Sequence, residues 1–316
     1  MNVFHSIAEA GEQLKGAALA LGNFDGVHLG HRALFQEAAR HARAGALTFH
    51  PHPGKVLQPE LAPKLITLLP RKLELMAAEG LDSVIVQSFS LEFAKVPAAD
   101  FEAMLFTQLG IKHVVVGADF TYGIKRSGNV ETLQAAASSA GAGLHLVKQV
   151  TVDGVVASSS KIREYILEGR IAAAHRLLGR NFDLDGTVVT GQGRGRGIGF
   201  PTANVDTQNE LRPAAGVYAV RARVLGSEPG KRVSPAPTDW MAGAANIGVK
   251  PTFGGGAVTI EVHLLDFQGD LYGKQLRVEF LDRLREERRF GSVAELSGQI
   301  QRDVEAARAV FARASG

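Results

Sequence analysis

One short run holds more chemistry per residue than any other: Leu21-Gly-Asn-Phe-Asp-Gly-Val-His-Leu-Gly-His31. Gly22, Gly26 and Gly30 allow the backbone to come close to a ligand. His28 and His31, three residues apart, share one face of a helix start. The free amides and dipole of that helix end favour an anion. Two imidazoles and a helix N-terminus aimed at one point suit a polyphosphate. The run has no G-x-G-x-x-G, so it is not a dinucleotide fingerprint.

Five further runs carry reactive side chains. In Phe49-His-Pro-His-Pro53, His50 and His52 read either as metal ligands or as parts of a rigid extended loop. No carboxylate cluster accompanies them. The run Val116–Asn129 offers charge, a stacking face and an amide through Asp119, Phe120, Lys125, Arg126 and Asn129. In Ala157-Ser-Ser-Ser-Lys-Ile-Arg163 the serines can cap a helix. The same hydroxyls, with Lys161 and Arg163, can hold phosphates. The run Gly191–Asn204 alternates five glycines, Gly197 and Gly199 among them, with other residues including Arg194 and Arg196. Exposed amides beside two arginines suit an anion-binding loop, the other readings being a flexible linker or an RGG-like nucleic-acid segment, and Thr202 and Asn204 behind it are oxygen donors suited to Mg²⁺. In Thr259–Phe267, period-two reading sets Thr259, Glu261 and His263 on one face of a strand, where Glu261 can act as a general base.

Positioning these groups requires two kinds of scaffold. Up to residue 180, short apolar runs (17–21, 46–49, 83–86, 113–116, 144–147) alternate with helical patterns (31–43, 71–79, 99–109, 132–140). Continuous apolar strands between helices imply a parallel sheet covered on both faces, a Rossmann-like α/β domain with ligands at the strands' carboxyl ends. From Asp183 the rhythm changes. Runs at 187–190, 216–225, 242–247, 258–267 and 275–280 read as strands joined by Gly- and Pro-rich connections, the pattern of an antiparallel barrel or sandwich. Ser292-Val-Ala-Glu295 fits a capping box. Val293, Leu296, Ile300, Val304 and Phe311 then give the final helix an apolar face for packing on the barrel.

Composition bounds the rest. The chain has 316 residues, 45% of them hydrophobic and 21% charged, which fits about two globular domains and excludes a mainly disordered chain. The boundary falls near Arg180. Cysteine is absent, so disulfides, zinc–thiolate sites and a cysteine nucleophile are excluded. The net charge is +3, and residues 1–180 hold 18 basic and 16 acidic side chains, so neither half is a basic arm. No signal peptide is read in Met1–Lys15, and no apolar run approaches a membrane span. The expectation is a cytoplasmic protein with neither nucleic acid nor membrane as partner. Oligomeric state is left open.

Taken in order, G-N-F-D-G-V-H-x-G-H, F-x-P-H-P, G-x-D-F…G-N, S-S-x-x-I-R and G-F-P-T-A-N resemble the bacterial bifunctional riboflavin kinase/FMN adenylyltransferase family, also called FAD synthetase. The resemblance runs from about Gly16 to Arg308. It implies an N-terminal nucleotidyltransferase domain (1–180) that moves AMP from ATP to FMN, releasing FAD and pyrophosphate. It also implies a C-terminal kinase domain (181–316) that phosphorylates riboflavin to FMN. The expected architecture is α/β plus β, with a six-stranded antiparallel barrel and a terminal helix in the second part. His28 and His31 would stabilise charge at the α-phosphate. Gly22, Phe24, Gly30, Asn129, Ser159, Arg163, Gly197 and Gly199 would line ATP. Asp119, Phe120 and Arg285 would contact flavin. Thr202 and Asn204 would coordinate Mg²⁺ with ATP, and Glu261 would activate the riboflavin hydroxyl.

The chain departs from the family at Ser158-Ser159-Ser160, where S-S-T is common, at Val156–Ala157 and at His50. Gly254–Gly256 would form a flexible kinase loop. Two other readings stand beside this one. The first is a nucleic-acid-binding protein using the RGRG segment. The second is a metal-dependent hydrolase using His28, His31, His50 and His52.

Overall fold

A computed structural model describes residues 1–191, 197, 199–226, 240–250 and 257–315. The chain forms two compact units, Met1–Ser159 and Ser160–Gly316.

In the first unit, β1 (Asn2–Phe4), β2 (Ala18–Leu21), β3 (Ala44–His50), β4 (Ser83–Ser88), β5 (His113–Gly117) and β6 (Gly143–Val147) make one parallel sheet. Their order is β1-β4-β3-β2-β5-β6. Strand alternation sends Leu19, Leu21, Leu47, Ile85, Val114 and Val116 into one core and Ala18, Ala20, Ala46, Val84, Val86 and Val115 into the other. Both faces are therefore apolar, as a helix-covered parallel sheet requires. The helices are α1 (Ile7–Ala10), α2 (Leu29–His41), α3 (Pro53–Leu57), α4 (Leu69–Ala78), α5 (Ala98–Ala103) and α6 (Val130–Ser139). The helix expected over 99–109 is α5 followed by a π-helical turn over Met104–Gln108. The three-residue edge strand β1 and the hairpin of β7 (Thr151–Val152) and β8 (Val155–Val156) were not expected. The hairpin turns on Asp153-Gly154, both at positive φ (51° and 76°), the usual two-residue solution for a right-twisted hairpin. Strand order reverses at β2, which lies between β3 and β5, so the ligand crevice of such a sheet falls beyond Leu21 and Gly117.

The second unit holds α7 (Ser159–Leu167, whose first residue closes the first unit), α8 (Ile171–Leu178), β9 (Phe182–Val189), β10 (Ala203–Asp206), β11 (Gly216–Val224), β12 (Met241–Lys250), β13 (Ala257–Leu264), β14 (Gln275–Arg285) and α9 (Val293–Ser315). The six strands close in the order β10-β13-β12-β11-β14-β9, so the barrel alternative holds over the sandwich. Register explains the closed core. Val220 faces Phe280, which faces Phe182; Ala245 faces Val262, which faces Ala203; Val205 faces Val188. Nearly all of these side chains are buried. Residues of opposite parity lie on the outer face, and part of it is covered by α9, where Ala307, Val310 and Phe311 meet Ala219, Leu281 and Leu284. The capping box of α9 is only half formed. Ser292 Oγ accepts from the Glu295 amide (3.2 Å), but the Glu295 carboxylate takes the Gly291 amide (3.0 Å) rather than that of Ser292. The helices α7 and α8 precede the boundary read near Arg180, yet by contacts they group with the barrel.

Candidate active sites

At the reversal point, Leu21 ends β2 and the chain passes through residues 22–28 into α2. Phe24 and Val27 hold left-handed φ values of 50° and 42°, an uncommon conformation for such residues that is concentrated at functional loops. The loop is fixed from below. The Asp25 carboxylate, 4% exposed, accepts the amides of Ile66 (3.0 Å) and Thr67 (3.1 Å), and Thr67 Oγ1 accepts the Gly26 amide (3.1 Å). His28 is the N-cap of α2, its Nδ1 accepting the Gly30 amide at 3.1 Å. Its ring stacks on His31 with centroids 3.6 Å apart, and His31 meets the edge of Phe24. The two histidines singled out in the sequence are thus adjacent at the start of α2.

The glycines between them have specific reasons. A Cβ on Gly30 would stand 3.0 Å from His28 Cε1 and 3.1 Å from the Ala157 carbonyl. A Cβ on Gly22 would stand 2.9 Å from the Phe24 ring. Phe24 itself is wholly buried against Phe35, so its ring packs the site from within and only its backbone faces the loop. Ser159 Oγ donates to the Asp25 carbonyl (2.8 Å), joining the S-S-S run to the same loop. Arg163 lies further along α7 and belongs to the second unit.

Sequence reading missed Lys72. It projects from α4, among Leu69, Leu73 and Met76, and ends beneath the loop, where Nζ donates to the Asn23 carbonyl (3.1 Å) and Thr48 Oγ1 (2.9 Å). Burial pulls its ammonium down to about 8, against a smaller opposing effect of Asp25. The signal was a lysine on the apolar stripe of a helix. His50 and His52 lie near Lys72, around a small crevice with Asn23 and Asp25. His52 caps α3 through Nδ1 and the Gly54 amide (3.1 Å), and burial, with Lys72 and Lys55, depresses His50. The set His28, His31, His50 and His52 does not form a metal-competent group.

Beyond β5, Asp119 is exposed and Phe120 stacks on Tyr122. Lys125 and Arg126 are exposed at positive φ. Asn129 is the N-cap of α6 in a full capping box with Thr132, so its carboxamide oxygen already holds an amide.

In the barrel, Asn204 of β10, Glu261 of β13 and Asn246 of β12 are direct cross-strand partners, half-buried on the outer face. Thr202 shares the parity of Asn204. A Cβ on Gly191 would overlap the Asn204 carboxamide, so glycine is what lets the chain pass over it. Beside Thr202 opens a cavity of about 360 Å³, walled by Val188, Val262, Leu264, Phe267 and Tyr272. His263 Nδ1 lies 2.8 Å from the Pro201 carbonyl and fixes the start of β10. Gly197 and Gly199 are exposed, Gly199 at φ +86°. Arg194, Arg196 and the proposed loop Gly254–Gly256 lie outside the described residues. Arg285 forms a bidentate pair with the nearly buried Asp303 (2.7–3.0 Å) and donates to the Glu286 carbonyl (2.9 Å), tying β14 to α9.

Two family models match the two halves: FAD synthetase over residues 10–161 and riboflavin kinase over residues 178–311. Fold and site thus define an enzyme with two transferase domains, a nucleotidyltransferase followed by a flavokinase. The chain is 38% identical over 313 residues to the bifunctional riboflavin kinase/FMN adenylyltransferase of Escherichia coli (strain K12), covering 97% of this chain and 96% of that protein. It is 38% identical over 309 residues to the enzyme of the same name from Bacillus subtilis (strain 168), covering 95% and 93%. The chain belongs to the bifunctional riboflavin kinase/FMN adenylyltransferase family. A crystal structure from Streptococcus pneumoniae, described as a macrolide-efflux protein, superposes with a TM-score of 0.86 at 29% identity, covering 98% of this chain and 99% of that one. Among the described residues no helix is long and apolar enough to cross a membrane. Family membership displaces the nucleic-acid-binding and hydrolase readings.

Proposed function

We propose that the two reactions are divided between the two sites as follows. At the start of α2, ATP phosphates lie against the Gly22–Gly30 backbone. A phosphate oxygen of FMN attacks the α-phosphorus, a P–O bond to FMN forms, and the bond to pyrophosphate breaks. His28 and His31 donate to the oxygens that gain charge, aided by the helix dipole. Lys72 contributes positive potential from beneath the loop and keeps Asn23 in place. Ser159 holds the loop from the side, and Asn129 completes the nucleotide contacts. Asp119 and Phe120 take the flavin.

In the barrel, Glu261 accepts the proton of the riboflavin 5′-hydroxyl as that oxygen takes the γ-phosphoryl group from ATP and ADP leaves. The cavity beside Thr202, with Val188, Val262 and Leu264 on its walls and Asp270 among its polar lining, suits an adenine ring. Hydroxyl and carboxamide oxygens are hard donors, so Thr202 and Asn204 fit Mg²⁺. When bound there, the ion supplies charge neutralisation at the phosphates. Gly197 and Gly199 cover the phosphates, and Arg285 is the flavin contact at the α9 end. A cytoplasmic location fits the demand for ATP.

The observation that carries this reading is that each half gathers its own chemistry: stacked His28 and His31 at a helix N-terminus in one, Glu261 between Asn204 and Asn246 in the other. The test follows riboflavin, FMN and FAD by chromatography after incubation with riboflavin, ATP and Mg²⁺. His28→Ala/His31→Ala accumulates FMN. Glu261→Gln makes no FMN from riboflavin but converts supplied FMN to FAD. A folded variant that lost both activities would refute the division.

A further inference from the structure

Three histidines outside both sites converge near the amino end of the parallel sheet. His41 lies in the last turn of α2, His113 opens β5, and His145 lies in β6. Parallel pairing sets His113 opposite Gly143, so His145, two residues on, shares its face. His113 Nδ1 and His145 Nε2 are 3.1 Å apart, and His41 stacks on His145 with centroids 3.6 Å apart. One ligating nitrogen from each ring lies within 4.8 Å of the others. Gly143 makes room for this: a Cβ there would stand 3.0 Å from His145 Nε2 and 3.3 Å from His113 Nδ1. Glu37, one helical turn before His41, places Oε1 2.9 Å from His41 Nε2.

Packing gives little reason for three polar rings from three separate elements to gather with a ligating nitrogen of each so close to the others. Without an ion, one proton must sit between His113 and His145, one ring donating and the other accepting. A metal ion would replace that proton, with each ring keeping its remaining proton on the outward nitrogen. The His113–His145 spacing suits it, and His41, stacked face to face on His145, would turn its ring to aim its in-plane lone pair at the same ion. Two imidazole nitrogens about 2.0–2.1 Å from a tetrahedral zinc ion stand about 3.4 Å apart, close to the separation observed. Imidazole selects borderline ions, whereas Mg²⁺ and Ca²⁺ prefer oxygen.

We propose that His41, His113 and His145 form a binding site for a divalent transition-metal ion of the zinc class, with Glu37 as the carboxylate within reach. The ion would pin the last turn of α2, the helix whose other end carries His28 and His31, to β5 and β6.

The test uses the full-length protein, freed of metal with a chelator and without ATP, and Co²⁺ as a visible probe. One equivalent is expected to give absorption bands of tetrahedral intensity that Zn²⁺ abolishes, and Zn²⁺ is expected to raise Tm. His113→Gln/His145→Gln should lose the bands and the Tm shift. His41→Gln, a change at the end of a helix, should weaken binding by more than the ~10–100-fold typical of losing an outer-shell partner. In that variant circular dichroism and riboflavin phosphorylation should stay unchanged. His28, His31, His50 and His52 remain in every variant. No bands in the parent protein, or binding of unchanged affinity in His41→Gln, would overturn the proposal even if the double variant did not fold.

Discussion

Gly30 sets two opposing effects at one residue. An alanine in a helix is favoured over glycine by about 1 kcal/mol, so Gly30→Ala should stabilise α2. Its Cβ, however, would crowd His28 and the Ala157 carbonyl, both closer than ordinary contact. Relief by moving the His28 ring unstacks it from His31 and gives up its cap on the Gly30 amide, a loss of about 1 kcal/mol that offsets the helix gain. The expected result is a Tm unchanged or slightly lowered, FAD formation from FMN lowered by at least ~10-fold, one such interaction's worth of about 1.4 kcal/mol, and riboflavin phosphorylation unaffected. Lys72 gives a pH signature. Its ammonium falls from an ordinary 10.5 to about 8 because it is buried. Between these values the unfolded chain holds a proton that the native protein has released, so stability rises with pH across that window and the effect is complete above it, of the order of 3 kcal/mol in all. Lysine-resolved NMR should find one amine titrating near 8, absent from Lys72→Met, whose stability should lack this rise. A sequence marks Lys72 only as a lysine out of phase with its helix. Desolvation is a property of the packed structure, which is why the histidines were legible and the lysine was not.

Elements were read in proportion to their length and period. The inner strands of the parallel sheet and the long barrel strands carry apolar runs that few other structures can use. β1 has three residues and pairs only with β4 at the sheet edge. β10 hides inside the Pro-Thr-Ala-Asn motif, where proline masks a strand start. The case of α8 differs, because its pattern was present: Ile171, Ala174, Leu177 and Leu178 are buried at helical spacing, and Gly179 ends the helix at φ 69° as a left-handed cap. Its role required knowing what it covers. α8 packs on β9 and β14, beside the outer-face pair of Arg221 with Glu279 (2.7 Å), to which Asn181 also donates. This tests where the kinase domain begins. A fragment of residues 160–316 should fold and phosphorylate riboflavin. A fragment starting at 181 should be markedly less stable in urea, and Leu177→Ala in the full chain should cost about 2–5 kcal/mol in its barrel transition. Equal stability of the two fragments would put the boundary at Arg180, as first read from the sequence.

For the whole molecule, composition has acquired a place. Nine of the ten histidines precede residue 180, and His263 alone follows it. On the proposed division, imidazole serves the adenylyl-transfer half, while the Glu261 carboxylate and the Thr202 and Asn204 oxygens serve the kinase half. The near balance of charge in both halves fits small anions bound at local loops rather than over a surface. The two sites share no residue, and the product of one reaction is the substrate of the other. A chain defective in either half should then be complemented by a chain defective in the other. Mixing full-length His28→Ala/His31→Ala with full-length Glu261→Gln should restore conversion of riboflavin to FAD, although neither variant completes it alone. FMN must build up in solution first, so FAD should appear after a lag that shortens as total protein rises. FMN that stays bound to the His28→Ala/His31→Ala variant, at no more than one per chain, with no FAD from the mixture although Glu261→Gln converts added FMN, would mean that FMN is not released between the two steps.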